Sequence, residues 1–154
     1  MEEGRLNYDK AKRKGLRTVN RYKSNGWNPN LPSLDAILSR QSIMSEVSLG
    51  LQEILIRKIK GTRNGSRSSA FSPDFMPILG VTSEFGAKWV NLYEAHISEG
   101  IRDPIKVYEY LNWYYVEEGN KRVSVLRYSE AGLVSAYVTR LIPKYDELNE
   151  AIVI

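Results

Sequence analysis

The run Tyr114-Tyr115-Val116-Glu117-Glu118-Gly119-Asn120-Lys121-Arg122-Val123-Ser124-Val125 constrains the fold more than any other stretch of the chain. Its aromatic and β-branched start favours a strand, and Asn120 to Ser129 favours a helix with Val123 and Leu126 inward. Gly119 is the turn between them, which points to a small α/β or α+β domain: a small mixed sheet with flanking helices. The first turn of a helix has unpaired N–H groups and positive potential, so a glycine turn followed by Lys121 and Arg122 is a ready phosphate cradle. Cations there are unfavourable for the helix itself, a conflict that functional sites tend to produce. In the plainer alternative both side chains point to solvent and Gly119 only makes the turn.

The other elements follow from periodicity and punctuation. Tyr8, Ala11, Gly15, Val19 and Tyr22 recur at helical spacing, and Ser24-Asn25-Gly26-Trp27-Asn28-Pro29-Asn30 ends that helix. Gly15 weakens it by roughly 1 kcal/mol relative to alanine. A short helix follows Pro32, with Ser33 as N-cap and Leu34, Ile37 and Leu38 on one face. Val47, Leu49 and Leu51 alternate with smaller or polar residues, and Ile54-Leu55-Ile56 continues them as a strand. Residues 61–69 read as a loop carrying Arg63 and Arg67. Thr82 or Ser83 opens a helix with Phe85, Trp89, Leu92 and His96 in register, stopped by Gly100. Ile105–Tyr108 and Tyr114–Val116 read as a hairpin around Leu111-Asn112-Trp113, and a last strand runs from Ser135 to Leu141 before Pro143. The acidic, then apolar, end from Tyr145 to Ile154 reads as a docked tail or as a cut inside a longer protein. This divides the chain into a basic helix and turn (1–30), a domain (31–143) and a tail (144–154).

Charge is unevenly distributed. The chain is +4 overall, yet eight basic residues and one acid between Arg5 and Lys23 give that segment +7 and leave −3 for the remainder. Lys12, Arg13, Lys14, Arg17 and Arg21 would attract a phosphate backbone in a salt-dependent way, and a merely solvated face is the alternative. No window approaches the ~18 apolar residues of a membrane span and no secretory signal opens the chain, so the expected location is the cytoplasm, with no membrane partner. There is no cysteine, which removes thiolate metal sites, disulfides and thiol chemistry. His96 is the one histidine, expected as a hydrogen-bonded core residue; no metal ligand set and no nucleophile elbow are present. Tyr108, Tyr110, Trp113, Tyr114 and Tyr115 make the hairpin aromatic, with about half of them turned to the core by alternation and the rest able to stack bases.

Gly-Ile-Arg-Asp-Pro-Ile-Lys-Val (100–107) and Tyr115–Val125 together resemble the N-terminal domain of ParB-type partition proteins, in the ParB/sulfiredoxin superfamily. Members show a helix ending in glycine, a "PI.V" strand, a hairpin and a "GERR.RA" turn into a helix, and Glu53–Lys60 resembles their opening "IPLSKI" segment. The resemblance spans roughly residues 46–142 and leaves the basic helix unmatched. It implies a pocket for a nucleotide or other phosphate-bearing ligand, such as a nucleoside triphosphate with Mg²⁺, in a regulatory, DNA-associated module. Gly119, Asn120, Lys121, Arg122 and Ser124 would form the cradle, and Arg63 and Arg67 would close over it. Gly119 and Arg122 match the motif, whereas Lys121 replaces its first arginine, keeping charge without bidentate geometry, and Asn120 replaces its glutamate. In the sulfiredoxin branch the similar motif is "GGCHR", whose cysteine would fall at Asn120, so sulfinic-acid reduction is not expected. The family's nuclease members imply a metal-dependent alternative in which Glu117 or Glu118 is catalytic. A non-catalytic protein- or DNA-interaction module is the third reading. Helix-turn-helix signals are not found, and a homodimer remains open.

Overall fold

The computed structural model describes residues 2–38 and 43–144, so the expected tail lies outside the described residues from position 145 on. Helix α1 (Glu2–Ser24) buries Tyr8, Ala11, Gly15 and Thr18 along one stripe. The stripe is part of a core rather than an appendage: the Tyr8 ring meets Trp89 edge-on at 5.3 Å, and its hydroxyl donates to the Leu79 carbonyl at 2.6 Å. Burial, with Asp9 adding to it, pushes the Tyr8 phenol up to about 12. Gly15 is what allows the close approach, because a Cβ there would lie 2.9 Å from Met76 Cβ. Its propensity cost and its packing gain act on the same residue.

After α1 come α2 (Leu34–Leu38), β1 (Ile43–Leu55), β2 (Ile59–Thr62), α3 (Glu84–Ser98), β3 (Ile105–Tyr110), β4 (Trp113–Glu118), α4 (Asn120–Tyr128) and β5 (Leu133–Pro143). The strands form one mixed sheet in the order β1-β5-β3-β4-β2, with β1/β5 and β3/β4 antiparallel and β3/β5 and β2/β4 parallel. The architecture is thus α+β, a five-stranded mixed sheet with flanking helices. The main core lies where Val107, Val116, Ala136 and Val138 of the sheet meet Val123 and Leu126 of α4 and the rings of Phe71 and Phe75. A second core joins α1, α3 and α4 around Trp89, and a third joins α2 to Tyr110, Tyr115 and Leu141.

Ser33 and Ser83 cap their helices, accepting from Ala36 N at 3.3 Å and Gly86 N at 3.0 Å. The hairpin turn is shorter than the spacing suggests. Leu111 and Asn112 both have positive φ (47° and 73°), the two-residue primed geometry that matches strand twist, and Trp113 already belongs to β4. Three other expectations change. The expected 61–69 loop is structured, because Gly61 and Thr62 pair with β4 and a 3-10 helix follows at Gly65–Ala70, capped where Asn64 accepts from Ser66 N at 3.0 Å. Strand β1 starts at Ile43, and its apolar residues Val47 and Leu51 are exposed. Helix α3 is rotated: Gly86, Trp89, Val90 and Tyr93 are buried against α1 and α4, while Phe85, Leu92 and His96 are only half-buried. His96 Nδ1 is buried without a hydrogen-bond partner among the described residues.

Candidate functional site

Strand β4 ends at Glu118, and Gly119 turns the chain into α4 with φ of 110°. That left-handed conformation suits glycine. Space demands it as well, since a Cβ at Gly119 would lie 2.6 Å from Ile105 Cγ2. The first helical bond runs from Val123 N–H to the Gly119 carbonyl at 3.0 Å, so the N–H groups of Asn120, Lys121 and Arg122 lie ahead of the helical ladder.

This turn floors a cleft of about 550 Å³, walled by the Gly65–Ala70 turn on one side and α3 on the other. Glu117, Glu118, Gly119, Asn120, Lys121 and Arg122 line it together with Arg67, so most of the expected constellation meets in one place. The Lys121 ammonium sits 5.4 Å from the Phe85 ring centroid. Its pKa is lowered, first by burial and then by the like charges of Lys88 and Arg67, against an opposing pull from Glu84. Lys88 is paired with Glu84 at 3.0 Å, and that contact holds the Glu84 carboxyl below the usual carboxylate range. Asn120 Oδ1 is buried with no partner among the described residues. Arg122 has a structural commitment: its guanidinium donates to the Asp103 and Pro104 carbonyls at 3.1 and 2.9 Å, fixing the chain as it enters β3. Glu118 reaches Lys106 at 3.4 Å across the hairpin.

Two expected members stand apart from the cleft. Ser124 is fully buried beneath α3 and accepts a hydrogen bond from Trp89 Nε1 at 2.9 Å. Arg63 forms an ion pair with Asp35 and lies 5.4 Å from the Tyr108 ring centroid, in a different depression. Sequence reasoning missed Phe85, Lys88 and Leu92 of α3 and Phe71, which supply a cation and an apolar wall. The 85–88–92 spacing was the available signal, a helical stripe that a lysine interrupts. No group of three acidic or histidine side chains placed to hold a metal occurs among the described residues. Nor is any described helix long and apolar enough to cross a membrane.

The basic residues of α1 are presented outward. Arg13, Lys14, Arg17 and Arg21 are exposed, with Arg13, Arg17 and Arg21 spaced four apart along one face and Lys14 next to them, while Lys12 is half-buried.

No family model matches the chain, and no curated protein matches it. Among solved structures it is similar to the crystal structure of sulfiredoxin from Arabidopsis thaliana, with 17% identity and a TM-score of 0.42, over 66% of this chain and 96% of that one.

Proposed function

We propose that the cleft binds a phosphate-bearing ligand of nucleotide size and that the protein acts as a regulatory module through it. One observation carries this reading: Arg67, Lys88 and Lys121, from three separate elements, line the cleft at the N-terminal turn of α4. An anion among them would offset the burial and the like charges that lower the Lys121 pKa and would accept from N–H groups the helix leaves free. Phe71, Phe85 and Leu92 offer an apolar wall to the non-phosphate part, and the volume is in the usual range for small ligands, about 300–1,000 Å³. A divalent ion would arrive with the phosphates, with Glu117 as the carboxylate on the same wall.

The test is thermal unfolding with CTP, ATP, GTP and phosphosugars, each with Mg²⁺. A ligand at a hundred times its dissociation constant stabilises the fold by about 2.7 kcal/mol. For a domain of this size that raises Tm by roughly 5–10 °C. Lys88→Ala with Lys121→Ala should abolish the shift; Arg122 is left in place because it holds two backbone carbonyls. No shift with any compound, or equal shifts in the double variant, sinks the reading.

The exposed stripe of Arg13, Lys14, Arg17 and Arg21 favours a second contact, with the phosphate backbone of DNA. Truncating α1 would remove Tyr8 and Ala11 from the core, so neutralising the four charges is the cleaner probe. The logarithm of duplex affinity should fall with the logarithm of salt, by about 0.9 per phosphate contacted, and the alanine variant should flatten that slope. Identical slopes would remove the contact from the account.

A further inference from the structure

A second groove, of about 340 Å³, lies where the chain leaving α1 passes β2 and the start of β4. Arg57, Lys60 and Arg127 line it, and no carboxylate among the described residues does. Asp74, whose charge acts on Arg127, is engaged by the hydroxyls of Thr18 and Ser72. Lys58 adds charge alongside, its ammonium donating to Asn112 Oδ1 at 3.0 Å.

Aromatic surface accompanies these cations. Trp113 lines the groove with 43% of its surface exposed, and Lys60 Nζ is 5.5 Å from its ring centroid. Tyr22, which also lines the groove, holds Trp27 edge-on at 5.3 Å, and Trp27 is 55% exposed. Trp113 and Trp27 thus keep large ring surface in water close to Arg57 and Lys60, while Arg127 is held by the Ile59 carbonyl at 3.2 Å and lies 5.8 Å from the Phe75 ring centroid. Tyr22 also marks the end of α1, so the exposed basic stripe that finishes at Arg21 leads to the rim.

From this arrangement we infer that the groove between the α1 exit, β2 and β4 binds single-stranded nucleic acid, with unpaired bases stacking on Trp113 and Trp27 and Arg57 and Lys60 following the phosphates. Stacking requires bases freed from a duplex, and every base has a face to offer, so the site tolerates sequence while discriminating strandedness. An acidic peptide would match the cations and leave the indoles idle. The inference is independent of the cleft beneath α3.

The experiment measures anisotropy of labelled oligothymidylate and oligouridylate of about 12 nucleotides, and of a duplex of equal length, at matched salt, against the full chain with Arg13, Lys14, Arg17 and Arg21 changed to alanine, which removes the duplex contact proposed for α1. Both single strands should bind at least about tenfold tighter than the duplex and quench tryptophan emission; a difference between thymidylate and uridylate tells DNA from RNA as the source. Trp113→Ala should weaken binding about tenfold and Trp113→Phe should recover most of it, which also guards against a folding defect in the alanine variant. Arg57→Ala with Lys60→Ala should flatten the salt slope by about 0.7 per lost phosphate contact. Lys88→Ala with Lys121→Ala should leave single-strand affinity unchanged, separating this site from the cleft. Duplex binding as tight as single strands, polyglutamate competing as well as an oligonucleotide of equal charge, indifference to Trp113→Ala, or no binding overturns the inference.

Discussion

Trp89→Ala is expected to lower stability by about 4 kcal/mol, the usual scale for emptying a buried indole site. Trp89 is fully buried and joins the three helices by three ring contacts: edge-on to Tyr8 at 5.3 Å, stacked on Tyr93 at 5.7 Å and 5°, and edge-on to Tyr128 at 5.7 Å. Its Nε1–H also satisfies the buried Ser124 hydroxyl. Alanine removes the rings' common neighbour and the donor together. At this chain length the loss corresponds to a Tm lower by roughly 8–16 °C, with a matching fall in the urea midpoint. Trp89→Phe isolates the polar part: most ring packing stays while Ser124 loses its donor, for a cost of about 1–3 kcal/mol. Adding Ser124→Ala to Trp89→Phe should then recover part of that cost. A loss below about 1 kcal/mol for Trp89→Ala would mean that α1, α3 and α4 are not held through this ring.

Ser124 also shows where sequence reasoning stops. Five residues after Gly119 and on the same helix as Lys121, it reads as a ligand contact. What decides its role is Trp89, 35 residues away, which covers it from α3. Arg63 has the same history: its place in a basic segment suggests the cleft, but Asp35 and Tyr108 engage it elsewhere. Gly119 and the capping serines were legible because they depend on chemistry within a few residues, and so was the hairpin apart from the length of its turn. The facing of α3 was not legible in this way. Phe85, Trp89, Leu92 and His96 keep helical spacing, but α1 packs on Val90 and Tyr93, which turns Phe85 and Leu92 towards the cleft. Helix α1 itself reads as a separate basic element because its charges outnumber its apolar residues. Its stripe of small residues and one tyrosine is nonetheless enough to seat it on α3, and Gly15 counts for its size rather than for its helix propensity.

Gly119→Ala should destabilise the fold by about 2–5 kcal/mol and remove the cleft's ligand response as well. Two causes act together. A residue with a Cβ held at φ of 110° carries backbone strain of about 1–3 kcal/mol. The new methyl would also sit 2.6 Å from Ile105 Cγ2 and 3.1 Å from Ile105 Cβ, and Ile105 is fully buried with a stiff, branched side chain. Overpacking of this kind costs about 1–3 kcal/mol, more than the few tenths to about 1 kcal/mol that alanine gains by restricting the unfolded chain. Substitution at asparagine's level separates the two causes, because Asn tolerates positive φ better than Ala yet brings the same Cβ. If Gly119→Asn is markedly milder than Gly119→Ala, the strain dominates; if the two are equal, the contact with Ile105 does. A double-mutant cycle with Ile105→Val gives a second measure, since trimming the branch should offset part of the alanine cost only in the contact case. Relief of the clash by backbone movement would shift the N–H groups of Asn120, Lys121 and Arg122, and with them the anion site. Gly119→Ala that melts within about 1 kcal/mol of wild type and still responds to a phosphate ligand would therefore contradict both the turn geometry and the position of the site.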